Sequence, residues 1–176
     1  MALYAEVSIN DKVFMKALIF SDSHGIATYM KQILRSSPDT EYVFFLGDGA
    51  SDIEDVQKDF PDRIFYCVRG NNDWMCPHRD SYVIELGGKR ILLTHGHSHN
   101  VKSTDQNLYY RACADGIDIV LFGHTHTPYE KYYPNDNDGV YLFNPGSIGK
   151  SDTLGRLWYG RLEIRDGGII LSHGSV

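Results

Sequence analysis

The chain of 176 residues has no apolar run near the roughly 18–20 residues that a membrane-spanning helix requires. Its longest apolar stretches, such as Tyr42-Val43-Phe44-Phe45-Leu46, are strand-sized. That excludes a helical membrane protein. Cysteine is scarce: Cys67, Cys76 and Cys113 are the three, and no C-x-x-C occurs. So sparse and odd a set excludes a disulfide framework. Cys67 lies in the apolar run 64–68 and reads as core rather than as a nucleophile. There is no block of Lys or Arg, and the net charge is −6. This counts against a non-specific duplex nucleic-acid binder, which needs a basic surface. It weighs less against nucleic acid as a substrate, because bound cations add local positive charge. Met1-Ala2-Leu3-Tyr4-Ala5-Glu6 lacks the basic and apolar regions of a signal peptide, so a cytoplasmic location is expected. Repeats, low-complexity tracts and linkers are absent too. With 42% hydrophobic and 23% charged residues, the composition excludes a mainly disordered chain.

What is present is an alternation of strand and helix patterns. Residues 1–14 read as an N-terminal extension, a mis-called start, an expression remnant or else a real, loosely attached arm, and 15–176 as one domain opened by Met15. A buried strand is expected at 16–20. A helix follows with Ile26, Tyr29, Met30, Ile33 and Leu34 on one stripe, stopped by Ser36-Ser37-Pro38. Strands at 42–46 and 64–68 flank a helix that Ser51 and Glu54 would open as a capping box. This is the pattern of parallel crossovers. A hairpin at 82–94 turns on Gly87-Gly88. A helix at 104–114, capped by Ser103 with Gln106 and closed by Gly116, leads to a strand at 118–122. Strands at 129–133, 140–143, 157–164 and 169–172 read as antiparallel, with turns at 135–139 and 166–168. The element order gives an α/β fold of two mixed sheets packed face to face, with helices outside.

Five polar clusters follow expected strands. They are Asp22-Ser23-His24, Gly47-Asp48, Gly70-Asn71-Asn72-Asp73, His95-Gly96-His97 and Gly123-His124-Thr125-His126. Strand carboxyl ends are where sites form in open α/β sheets. Imidazoles and carboxylates with one amide carbonyl suit divalent Mn, Fe, Co, Ni or Zn. Any one of these fragments alone is a weak signal. Asp22 or Asp48 would serve equally as a helix cap, and His78, His99 and His173 carry no such context. Five fragments in order, each after a strand, point to a metal site.

The series Asp22-x-His24, Gly47-Asp48, Gly70-Asn71, His95, Gly123-His124-x-His126 resembles the signature of the calcineurin-like metallophosphoesterase superfamily. The short length, Thr94-His95-Gly96-His97 and Asn144-Pro145-Gly146-Ser147 make it similar to small bacterial and archaeal phosphodiesterases of the YfcE type. The resemblance implies a four-layer α/β/β/α sandwich and two metal ions, manganese first, with nickel, cobalt, iron or zinc as alternatives. It implies that Asp22, His24, Asp48 and His126 hold one ion and that Asp48, Asn71, His95 and His124 hold the other, with Asp48 bridging. It further implies a bridging hydroxide that attacks a small phosphodiester or nucleotide-like substrate.

The chain departs from the family where many members carry His after the motif Asn. Here Asn72 and Asp73 stand. Asn72 donates a hydrogen bond but delivers no proton, so activated diesters are the expected substrates. His97 is the candidate substitute donor, or else a partner that orients a ligand, and Asp73 is a candidate acceptor in the loop. Asn144-Pro145-Gly146-Ser147 reads equally as a tight turn and as the family's loop beside the site. Relatives often carry Pro-Arg after it, where this chain has Ser151-Asp152, with Arg156 later. Two alternatives stand beside the phosphodiesterase: a phosphomonoesterase or nucleotide phosphatase on the same site, and a binding scaffold of the same fold. Edge strands near the C-terminus leave a homodimer open.

Overall fold

The computed structural model describes residues 14–135 and 139–176. Residues 1–13 of the expected extension and 136–138 of the expected turn lie outside the described residues. Phe14, assigned to the extension, is the first residue of a strand and pairs with Arg165.

The described elements run β1 (Phe14–Phe20), α1 (Thr28–Arg35), β2 (Tyr42–Phe45), α2 (Ala50–Asp59), β3 (Ile64–Cys67), β4 (Ser81–Leu86) and β5 (Lys89–Thr94). A single 3-10 turn (His97–His99) follows, then α3 (Gln106–Asp115), β6 (Ile119–Leu121), β7 (Tyr129–Tyr133), β8 (Val140–Asn144), β9 (Trp158–Arg165) and β10 (Gly168–Ser175). They form two five-stranded sheets, ordered β10-β9-β1-β2-β3 and β4-β5-β6-β8-β7. In the first, β1, β2 and β3 are parallel and β9 and β10 are antiparallel additions. In the second, β5, β6 and β8 are parallel, flanked by antiparallel β4 and β7. The late strands are therefore not uniformly antiparallel: β8 runs against β7 but with β6.

Alternation along each strand builds the layers. Leu18 and Phe20 of β1 face Met30 and Leu34 of α1 and Ile53 and Val56 of α2. Ala17 and Ile19 face the other sheet, against Ile91, Leu93, Ile119 and Leu121. The far side of that sheet presents Leu92, Val120 and Leu142 to Leu108 and Ala112 of α3. The result is helix, sheet, sheet, helix. Central strands are covered on both faces, which is why their sequences are continuous apolar runs. The β4–β5 hairpin closes through Gly87 (φ 58°) and Gly88 (φ 74°), two left-handed positions that match the twist of the strands.

Two expected helix caps do not form. Helix α2 begins at Ala50, so Ser51 lies inside its first turn and no side chain of the N-cap residue Gly49 closes it. A distant carboxylate replaces the local box: Asp73 Oδ1 accepts from Gly49 N at 2.8 Å and Ala50 N at 2.9 Å. At α3, Ser103 Oγ donates to Asn100 Oδ1 at 3.2 Å, and Thr104 Oγ1 accepts from Gln106 N at 3.2 Å instead. The C-terminal end of α3 is as expected, with Gly116 left-handed at φ 62°. Cys67 is buried, and burial pushes its thiol up to about 12, which leaves it an inert core residue.

Candidate metal centre

The five polar clusters leave the carboxyl ends of β1, β2, β3, β5 and β6 and meet at one edge of the sheet pair. Sharp reversals of the backbone aim them inward. Asp22 (φ 56°), His24 (φ 45°), Asp48 (φ 60°), His124 (φ 69°) and His126 (φ 61°) are all left-handed. That region disfavours an L-residue by about 1–2 kcal/mol and persists where the surroundings over-determine it. Here Asp22 N donates to Gly47 O at 2.9 Å, His24 N to Asp48 O at 3.1 Å and Gly123 N to His95 O at 3.1 Å. Gly70 permits the closest approach: a side chain there would collide with the carboxylate and backbone N of Asp48.

The ligating atoms converge. His24 Nε2 lies 3.2 Å from His126 Nε2, and His126 Nε2 lies 3.1 Å from Asp22 Oδ1. His95 Nε2 lies 3.2 Å from both Asn71 Oδ1 and His124 Nδ1. Asp48 Oδ2 stands between the two groups, 4.0 Å from His24 Nε2 and 3.6 Å from His95 Nε2. Two nitrogens that share a cation at about 2.0–2.1 Å lie about 2.9–3.4 Å apart for right-angle to tetrahedral geometry. The imidazole pairs have that spacing. His95 Nδ1 is 2.7 Å from Leu46 O, so Nδ1 carries the proton and the Nε2 lone pair faces the cluster. Asp22 is fully buried, and its Oδ1 has no hydrogen-bond donor aligned on it. A buried carboxylate oxygen without an aligned donor, set among imidazole nitrogens, fits a cation.

The electrostatics favour the neutral form of His24 and His124, the form that ligation requires. Burial, with the charges of His95 and Lys102, takes His124 down to about 4. Burial and then the Lys150 charge lower His24. His97 is lowered by burial and by His95 beside it, their ring centroids 5.4 Å apart. At neutral pH His97 therefore holds one ring proton and no charge.

Asn72 and Asp73 both bond to the Asp48 segment. Asp48 Oδ1 accepts from Asn72 N at 2.8 Å and Asp48 Oδ2 from Asn72 Nδ2 at 2.5 Å. Asn72 thus grips the Asp48 carboxylate by two points, its backbone N–H and one of the two N–H groups of its amide. Asp73 Oδ2 accepts from Asp48 N and Gly70 N, each at 2.7 Å, while its Oδ1 holds the start of α2. Burial pushes the Asp73 carboxyl up, but these four backbone donors outweigh it and its pKa is lowered.

The calcineurin-like phosphoesterase superfamily domain matches residues 15–167. The chain belongs to that superfamily. It is 34% identical over 135 residues to the probable metallophosphoesterase YsnB of Bacillus subtilis strain 168, across 76% of this chain and 75% of that protein. A conserved uncharacterized protein of Streptococcus pneumoniae TIGR4, a predicted phosphoesterase, has a similar crystal structure. Its TM-score is 0.73 at 28% identity, over 91% of this chain and 88% of that one. YfcE, a phosphoesterase from E. coli, shares the fold with a TM-score of 0.61 at 23% identity, over 92% of this chain and 98% of that one. Calcineurin-like phosphoesterases are hydrolases that work with divalent metal ions, and the donor set here fits such ions.

Around this phosphoesterase centre, Asn144-Pro145-Gly146-Ser147 is both a turn and a brace. Asn144 Nδ2 donates to Gly123 O at 2.8 Å, and Ser147 Oγ donates to Asp22 O at 2.8 Å. The loop ties the Asp22 segment to the His124 segment. His173 belongs to the same brace, with Nε2 2.8 Å from Asn144 O. Two clefts reach the ligand cluster, one at Asn71 and one at His126. One, of about 290 Å³, includes Asn71, His97 and the exposed Trp74 and Met75. The other, of about 680 Å³, includes His126, Lys150, Arg156 and Trp158. The sequence reading missed Trp74, Met75, Lys150 and Trp158 in these walls, because residues outside a motif carry no periodic signal.

Proposed function

We propose that the chain hydrolyses small phosphodiesters with two divalent transition-metal ions, manganese first. One ion is held by Asp22, His24, Asp48 and His126. The other is held by Asp48, Asn71, His95 and His124. Bound there, the pair supplies an acidified water as nucleophile and positive charge for the phosphoryl oxygens. The chain's own residues do the rest. Asn72 fixes the shared Asp48 carboxylate, and Leu46 O fixes the tautomer of His95. His97, neutral and beside His95, has an N–H to offer the leaving oxygen but no extra proton to give. Diesters with good leaving groups are therefore the favoured substrates. Overall, water adds to phosphorus, one P–O ester bond breaks, and the products are a monoester and an alcohol.

The observation that carries a diester over a monoester is the pair of clefts. Each abuts one end of the ligand cluster, at Asn71 and at His126, so each has room for one ester substituent. The test is turnover of bis-p-nitrophenyl phosphate and p-nitrophenyl phosphate by metal-stripped protein with Mn, Ni, Co, Zn or Mg added back. Manganese is expected to restore diester turnover to at least about tenfold the monoester rate, and Asp48→Asn to remove about 100-fold of it while remaining folded. A preference for the monoester would assign a phosphomonoesterase instead. No turnover with two ions bound per chain would overturn the enzymatic reading.

A further inference from the structure

The two clefts differ in charge. In the Asn71 cleft, Arg69 is spent on Asp80, with Nε to Oδ1 at 2.6 Å and Nη2 to Oδ2 at 3.2 Å. Exposed Trp74 and Met75 make up its rim. The His126 cleft is built to leave positive charge unspent. Ser147 Oγ, already bonded to Asp22 O, accepts from Lys150 N at 2.8 Å, so Lys150 is pinned next to the ligand loop. Its ammonium has no hydrogen-bond or ion-pair partner among the described residues.

Asp152 organises the other wall. Its Oδ1 accepts from Leu154 N at 2.8 Å and Arg156 N at 3.0 Å. Its Oδ2 accepts from Arg156 Nε at 2.9 Å and Trp158 Nε1 at 3.0 Å. The Arg156 guanidinium is thereby laid over the Trp158 ring, 4.7 Å from its centroid. Both of its terminal nitrogens lack a partner among the described residues. A guanidinium fixed through Nε and one aromatic face presents its outer edge as a preset fork for an oxyanion. In a chain of net charge −6, a free ammonium and a guanidinium with two open terminal nitrogens, set against the single carboxylate of Asp152, leave this cleft net positive and suited to an anion.

We propose that Lys150 and Arg156 form an anion subsite that receives a phosphoryl group carried on one ester substituent of the diester. The substrate class is thus a phosphodiester with a second, non-scissile phosphate on the side of His126. This rests on the phosphodiesterase reading for where the scissile phosphate lies. The Trp158 ring under Arg156 stiffens the fork rather than stacking on the ligand.

The test uses the manganese-loaded full chain and two measurements. Calorimetric titration compares adenosine 5′-monophosphate, adenosine 3′,5′-bisphosphate, and the monophosphate with added inorganic phosphate. The bisphosphate is expected to bind at least about tenfold tighter than the monophosphate, and free phosphate is expected not to substitute for the tethered group. Kinetics compare thymidine 5′-p-nitrophenyl phosphate with its 3′-phosphorylated form. The double variant Lys150→Met/Arg156→Met is expected to lose the bisphosphate advantage and to lower kcat/KM about tenfold more for the 3′-phosphorylated ester, mainly through KM. Equal binding of the two nucleotides, or a preference that survives in the double variant, overturns the subsite. Diester turnover without any charge preference sinks the subsite and leaves the phosphodiesterase reading standing. Tighter bisphosphate binding through Lys150 and Arg156 with no turnover of either ester sinks that reading and leaves the subsite.

Discussion

Asp22 divides its labour between its two oxygens. Oδ2 accepts from Ser21 Oγ at 2.6 Å and His124 N at 3.1 Å, whereas Oδ1 is buried with no donor aligned on it. A buried anionic oxygen left without a partner destabilises a fold by roughly 1–3 kcal/mol. Asp22→Asn is therefore expected to raise the stability of the metal-stripped protein by about 1 kcal/mol in urea unfolding. The same variant should lose the manganese-dependent gain in stability that the wild type shows. A metal-stripped variant less stable than wild type would mean that Oδ1 is satisfied some other way. The clustering of residues able to hold a metal was legible in sequence, because their types and their places after strands are local facts. The work of Asn72 was not. Its bond to Asp48 spans 24 positions, and nothing near Asn72 distinguishes a substrate donor from a carboxylate clamp.

Helix α2 shows the same limit one level up. Ser51 and Glu54 have the spacing of a capping box, yet the helix starts two residues earlier, with Gly49 at its N-cap, and takes its cap from Asp73 across the loop. Local pattern located the helix but not what holds its first turn, because the capping carboxylate comes from the loop that follows β3. The two origins of the cap have different consequences. Asp73→Ala is expected to destabilise the protein by about 2–4 kcal/mol, since four backbone donors lose their acceptor. Ser51→Ala should stay within about 0.5 kcal/mol of wild type. Asp73 has a lowered pKa in the fold, so its contribution is present above the unfolded value near about 3.9 and is lost as the pH falls through the lower folded value. The gap between wild type and Asp73→Ala, followed by urea unfolding, should hold from neutral pH to about 5 and close below about 4. A larger effect at Ser51 would restore the local box.

Taken as a whole, the molecule is two sheets whose shared edge is the site. Asp22, His24, Asp48 and Asn71 follow strands of the first sheet, and His95, His124 and His126 follow strands of the second. The layers were legible from apolar runs. The strand order was not, because the return of β9 and β10 to the side of β1 joins residues such as Ala17 and Leu162 that are remote in sequence. Cations held by both ligand sets would cross-link the sheets, so binding should stabilise the entire fold, by about 2.7 kcal/mol at a hundredfold excess over Kd. The pH dependence separates this from a generic salt effect. His124 falls to about 4 in the fold, against an unfolded value near about 6.5, so between these values the unfolded chain takes up a proton that the native one refuses. Stability of the metal-stripped protein should then be full above pH ~6.5 and drain away as the pH falls toward ~4. His124→Gln removes that titration and should unfold with a shallower pH profile over the same window, and it should also reduce the manganese-dependent gain at pH 7.5. Thermal unfolding of both proteins, with and without manganese, at pH 7.5 and 5.0 reads all of these at once. A wild-type profile flat between those pH values would show that the fold leaves His124 with its unfolded proton affinity, and would overturn this account of the pH dependence.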